Sequence, residues 1–251
     1  MPVYCINLKH RTDRRIHSLQ EFKKIGLSEK VIYLPFTKDV RGGVYGCFDS
    51  HIKIWKDFLI RFPYQKYAWV FEDDFVYSSS DPSILKKAAK FVEQHYHEVD
   101  VLFLHPYCVK VDHSINNESF TNGYGFGTHV YLITRHYIED LVRHGQLPQP
   151  NGRHIDFEMN FHYLDKTNQL YSEKMFYTNK PCFRQLVDKS DNYVNAIDKL
   201  FRFDVNKNIE YPLSVLRFLK KHKLLTDVHA KYIGCFVIHY FIDKPNSVSI
   251  P

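Results

Sequence analysis

Tyr67-Ala68-Trp69-Val70-Phe71-Glu72-Asp73-Asp74 is the stretch on which the fold turns. An apolar run over Tyr67 to Phe71 reads as a buried strand. It empties directly into three adjacent acids. Neighbouring carboxylates repel one another, and each must be solvated or paired. A divalent cation removes that cost. Hard cations such as magnesium and manganese take oxygen ligands and bridge protein carboxylates to phosphates. An acidic turn that caps a helix explains the same triplet equally well on spacing alone.

Outward from this strand, apolar runs alternate with helical stripes. Val3 to Leu8 and Val31 to Phe36 read as strands upstream, separated by an amphipathic stretch, Arg14 to Ile25, that Gly26 ends. Gly46 to Phe62 carries Ile52, Ile54, Trp55, Phe58 and Leu59 close to helical spacing. Downstream, Ile84 to Tyr96 is helical, Val101 to Leu104 and Thr128 to Ile133 are strands, and a helix spans His136 to His144 before Gly145. Asp156 to Leu164 is helical, Tyr171 to Arg184 strand-like, and helical segments dominate from Tyr193. Alternating strands and helices predict an α/β layer fold with a largely parallel sheet. Ligands of such sheets sit at the carboxyl ends of strands, where Glu72 to Asp74 stand.

The 251 residues suffice for a sizeable core. Lys plus Arg number 34 against 28 Asp plus Glu, a formal charge of +6. That charge suits a polyphosphate ligand, but it is too diffuse for the basic stripe of a nucleic-acid binder. Aromatics reach 16%, and core packing accounts for most of them. The five cysteines are odd in number, lack metal-knuckle spacing and sit mostly in apolar strings, which points to a reducing compartment and a cytoplasmic location. MPVYCINLKH lacks the pattern of a signal peptide. No apolar run approaches the about 20 residues that span a bilayer. No linker divides the chain, so a catalytic domain over 1–192 and a helical tail over 193–251 packed on it are expected.

Four further constellations carry chemistry. After the first strand come Asn7, Leu8, Arg11, Asp13, Arg14 and Arg15. Arginine forks onto phosphate and asparagine reads base or ribose edges, although a solvated charged turn looks the same. Gly42, Gly43 and Gly46 precede Ser50 and His51. Glycines admit close backbone approach, and His51 is as readily a core histidine as a ligand contact. His154-Ile155-Asp156-Phe157-Glu158 begins a helix, where an acid also serves as a plain N-cap. Pro181-Cys182-Phe183-Arg184-Gln185 leads to Ser190 and Asp191.

In this order the segments resemble glycosyltransferase family 25, which contains lipopolysaccharide sugar transferases and collagen hydroxylysine transferases. The resemblance lies in Ile6-Asn7-Leu8 with Arg11 and Arg14, Gly46-Cys47-Phe48-Asp49-Ser50-His51, and Glu72-Asp73-Asp74. It continues in Gly127 to Ile133, the lone Asp156, and Pro181, Gln185, Ser190 and Asp191. No acid stands just upstream of Gly46-Cys47, and the tail shows no histidine motif that would complete a metal shell.

The resemblance implies the GT-A fold, with a single Rossmann-like central sheet. It implies a UDP-glucose or UDP-galactose donor, manganese or magnesium, and inversion at the sugar. The acceptor would be a glycan or a hydroxylysine-containing protein. It assigns the metal to Glu72, Asp74 and Asp191. The donor falls to Asn7, Leu8, Arg11, Arg14, His51, Glu72, Asp73 and Gln185, and the catalytic base to Asp156 or Glu158. Tyr124, Phe126 and Tyr131 are candidates to stack on sugar faces. Two other functions fit the acids: a binding module without catalysis, and a metal-dependent phosphoryl-transfer enzyme. The second would need a phosphate loop that the glycine spacing does not supply.

Overall fold

The computed structural model describes residues 1–104, 108–110, 118–125, 127–150, 154–161, 174–180 and 182–186. In chain order its elements are β1 (Val3–Ile6), α1 (Thr12–Lys24), β2 (Val31–Tyr33), α2 (Gly43–Arg61), β3 (Tyr67–Glu72) and β4 (Phe75–Tyr77). Then come α3 (Ile84–Gln94), β5 (Val101–Phe103), β6 (Cys108–Lys110), β7 (Phe120–Gly125), β8 (Val130–Thr134) and α4 (Arg135–Arg143). The last are α5 (Ile155–Phe161), β9 (Met175–Thr178) and β10 (Phe183–Gln185). The expected tail over 193–251 lies outside the described residues. Among those described, no helix is long and apolar enough to cross a membrane.

One central sheet runs in the order β2-β1-β3-β8-β5-β9-β7-β6, and β4 pairs with β10 in a small ribbon. The class is therefore α/β with a single sheet, as expected. The parallel pairing expected from the sequence is found in β2-β1-β3 and in β5-β9. β8 is inserted the other way, antiparallel to both β3 and β5. Because Val130 lies opposite Phe71, the residues just before β8 arrive beside the carboxyl end of β3. This reversed strand builds half of the site described below.

Both faces of the sheet are buried, which is why the central strands read as unbroken apolar runs. Successive side chains alternate between two cores. Val3, Cys5, Trp69, Phe71, Leu102 and Leu132 join Phe22 of α1 and Phe91 of α3 on one face. Tyr4, Ile6, Val70, Phe103, Tyr131 and Ile133 join Trp55 of α2 and Tyr137 of α4 on the other. Phe71 and Phe75 bracket the acid triplet. Both are fully buried and 4.9 Å apart, and each ring lies 4.8 Å from that of Phe22. The triplet is thus a short bend, half-buried at Glu72 and Asp73 and buried at Asp74, pinned at both ends by aromatic packing.

After α1, Gly26 adopts φ 71°, and a Cβ there would meet nothing within 4 Å. Gly26→Ala is accordingly expected to cost about 1 kcal/mol through backbone strain alone. Urea unfolding measures it, and unchanged stability would show that the turn relaxes.

Candidate metal and nucleotide site

Glu72 is the last residue of β3 and shares the parity of Ala68 and Val70, so its side chain turns toward α2. His51 of α2 is fully buried, and its Nε2 stands 3.4 Å from Glu72 Oε1. The ring is fixed from behind. His51 Nδ1 lies 2.7 Å from the Tyr131 hydroxyl, which also accepts the Trp55 indole N–H at 3.0 Å.

From the residues just before the reversed strand come Thr128, whose hydroxyl donates to Glu72 Oε1, and His129. His129 Nδ1 is 3.4 Å from Glu72 Oε2 and 3.7 Å from Asp74 Oδ1. The main chain locks the pair, because the Glu72 N–H donates to the His129 carbonyl at 2.9 Å. One oxygen each from Glu72 and Asp74 and the His129 nitrogen lie within 4.8 Å of one another. Burial opposes charge on His129, but Glu72, Asp74 and Asp156 outweigh it and push its pKa up to about 9. Burial likewise opposes charge on Glu72, yet His129 and His51 hold its pKa well below the usual carboxylate value.

Asp73 leans the other way, toward the loop after β1. Its Oδ2 accepts the Asn7 amide N–H at 2.7 Å. Burial raises its pKa to about 7; the Asn7 hydrogen bond opposes the rise and the Asp74 charge adds to it. Arg14, 4% exposed, points NH1 at Asp74 Oδ2 (3.5 Å) and Asp73 Oδ1 (3.8 Å). An open cleft of about 640 Å³, solvent space included, lies over these groups. Leu8, Arg11, Lys38, Asp39, Asp73 and Asp74 are among its walls.

Residues 35–150 match the model of glycosyltransferase family 25 (LPS biosynthesis protein). Over that segment, a little under half of the chain, the sequence is similar to family 25 glycosyltransferases. No curated protein matches it in sequence. Similar solved structures include a glycosyltransferase involved in the glycosylation of the major capsid of PBCV-1, with 7% identity and a TM-score of 0.46. That likeness covers 76% of this chain and 95% of the other. A197 from STIV has 13% identity and a TM-score of 0.41 over 78% of this chain and all (100%) of the other. A UDP-glucose pyrophosphorylase complexed with UDP-glucose has 11% identity and a TM-score of 0.34 over 56% and 61%.

Several residues sit differently from the sequence expectation. Asn7 is 4% exposed and spends its amide on Asp73 and on the Arg11 carbonyl, 3.1 Å away. It ties the β1 loop to the acids. His51 stands fully buried behind Glu72, facing that carboxylate. Tyr131 is fully buried beside it and cannot stack on a sugar. The Tyr124 side chain, Phe126 and Asp191 lie outside the described residues, as does the Gln185 side chain. The Gln185 backbone pairs opposite Phe75, one strand from the triplet.

Asp156, 6% exposed, accepts the Gly127 N–H on Oδ2 at 2.6 Å, and Gly127 adopts φ 105°. Glu158, two residues on, is half-buried. The structure also brings in two residues that the sequence reading passed over. His129 lay unmarked in the strand motif. Asp39 stands seven residues before Gly46 and packs against it: a Cβ on Gly46 would come 3.1 Å from Asp39 Cβ. The glycine is thus needed for that close approach.

Proposed function

We propose that this glycosyltransferase moves glucose or galactose from its UDP donor onto an acceptor hydroxyl, with inversion and with the help of manganese or magnesium. Residues 1–192 would form the catalytic GT-A domain. The observation that carries the reading is the convergence of Glu72, Asp74 and His129 beside an arginine-lined cleft. Two carboxylates and an imidazole fit such a cation, and the imidazole tilts the set toward manganese. His129 would bind it as the neutral ring, giving up the proton that the acids otherwise favour.

When bound, the cation would neutralise charge on the departing diphosphate. The chain's own groups do the rest. Arg11 lies on the cleft wall, 18% exposed, with its guanidinium held by Asp13 at 2.8 Å. That geometry preorganises a fork for phosphate oxygens. Arg14 is turned inward, with NH1 facing both Asp73 and Asp74. Leu8 supplies an apolar wall. Asp156, beyond His129, is assigned the proton of the attacking hydroxyl, and the acceptor is a glycan or a hydroxylysine-bearing protein.

The test is a donor panel scored by released UDP, with manganese and with EDTA. UDP-glucose or UDP-galactose turnover that stops in EDTA is expected, and full activity in EDTA would overturn the metal. UDP should also raise the melting temperature more than GDP does. Arg11→Ala should weaken UDP binding about tenfold, the worth of one charge-assisted contact. Equal protection by GDP would argue against uridine.

A further inference from the structure

Glu72 is shared by a second group of ligating atoms. Cys47 and His51 lie four residues apart on α2 and so face the same side. Cys47 Sγ, a His51 nitrogen and a Glu72 oxygen all fall within 4.8 Å of one another. His51 Nε2 is buried and makes no hydrogen bond. It is aimed at Glu72, and its ring cannot swing away because Tyr131 and Trp55 hold the far side. A buried nitrogen oriented by a hydrogen bond on its other face is how metal-binding histidines are set. The donor atoms are one sulfur, one nitrogen and one oxygen, the soft-to-borderline mixture that selects zinc over magnesium or manganese. Cys47 also borders the cleft, which gives an ion a route in.

We infer that Cys47, His51 and Glu72 form a binding site for a thiophilic divalent cation such as zinc, distinct from the Glu72-Asp74-His129 set and competing with it for Glu72. Both sets cannot be filled at full strength, because Glu72 is their common carboxylate. Zinc is therefore an antagonist of the hard cation. That consequence rests on the function proposed above, whereas zinc binding itself does not.

Cobalt is the probe, because thiolate coordination to cobalt gives a charge-transfer absorption in the near ultraviolet. Cobalt added to the intact chain under anaerobic conditions should produce the band, and zinc should bleach it. Cys47→Ser should abolish the band, as should His51→Gln; Asp74→Ala, which touches only the other set, should retain it. A silent wild type would overturn the site. So would a band that survives Cys47→Ser, since it would then belong to another cysteine, or one lost in Asp74→Ala with melting unchanged. Manganese-stimulated UDP release, measured on the same preparations, reports the transferase reading separately. If that persists while cobalt stays silent, only the zinc site fails.

Discussion

Asp74→Ala is expected to abolish metal-stimulated turnover, a loss of at least about a thousandfold, with the chain still folded. Charge stabilisation by a catalytic cation is worth several kcal/mol, and each 1.36 kcal/mol is tenfold in rate. Asp74 is the carboxylate that faces His129 and Arg14 together. Without it, Glu72 and His129 leave a two-point site. The competing explanation is that the acids merely compensate two buried cations. In that case the substitution would cost stability, since removing one partner of a buried ion pair strands the other. Asp74→Asn tests this more gently, because it keeps the shape and a hydrogen-bonding oxygen. Melting temperature and turnover are read on both variants. Near-normal metal-stimulated turnover in either folded variant would remove Asp74 from the metal site.

Asp156→Asn is expected to lower turnover by a factor of roughly 100 or more, the usual contribution of a general base. Asparagine can still accept the Gly127 N–H through its amide oxygen, so the backbone tether survives the change. What disappears is the negative charge and the ability to take a proton. UDP binding and melting temperature should therefore hardly move. Asp156 also contributes to the high pKa of His129, so an indirect effect through the metal set must be separated. An indirect effect would raise the manganese concentration needed for half-maximal turnover; loss of a base lowers the maximum itself. If Glu158→Gln is the slow variant and Asp156→Asn turns over normally, the base lies one side chain further along α5.

The central strands were legible in the sequence because burial on both faces leaves no polar interruption, as in Tyr67 to Phe71. Helix α2 was legible from its apolar stripe. β4 was not, for Phe75–Tyr77 is too short for a pattern and is held by β10 from far along the chain. The acid triplet stood out as an electrostatic cost that required a partner. His129 did not, because its neighbours are supplied by the reversed insertion of β8, which no local pattern announces. Asn7 and His51 were singled out by residue type and by motif order, but neither says which way a side chain turns. Their inward orientation follows from packing between strand ends and α2.

The β1–β3 register has a consequence for recombination. Ile6 is opposite Glu72, and one step further Asn7 grips Asp73. A slip of one residue would turn every side chain of either strand to the wrong face. In a chimera of two such enzymes, residues 3–14 and 67–74 must therefore come from the same parent. A crossover anywhere between them gives the two halves of one ionic lock to different ancestors. Crossovers before or after both segments leave this lock whole, but one between 74 and 128 would part Glu72 and Asp74 from Thr128 and His129.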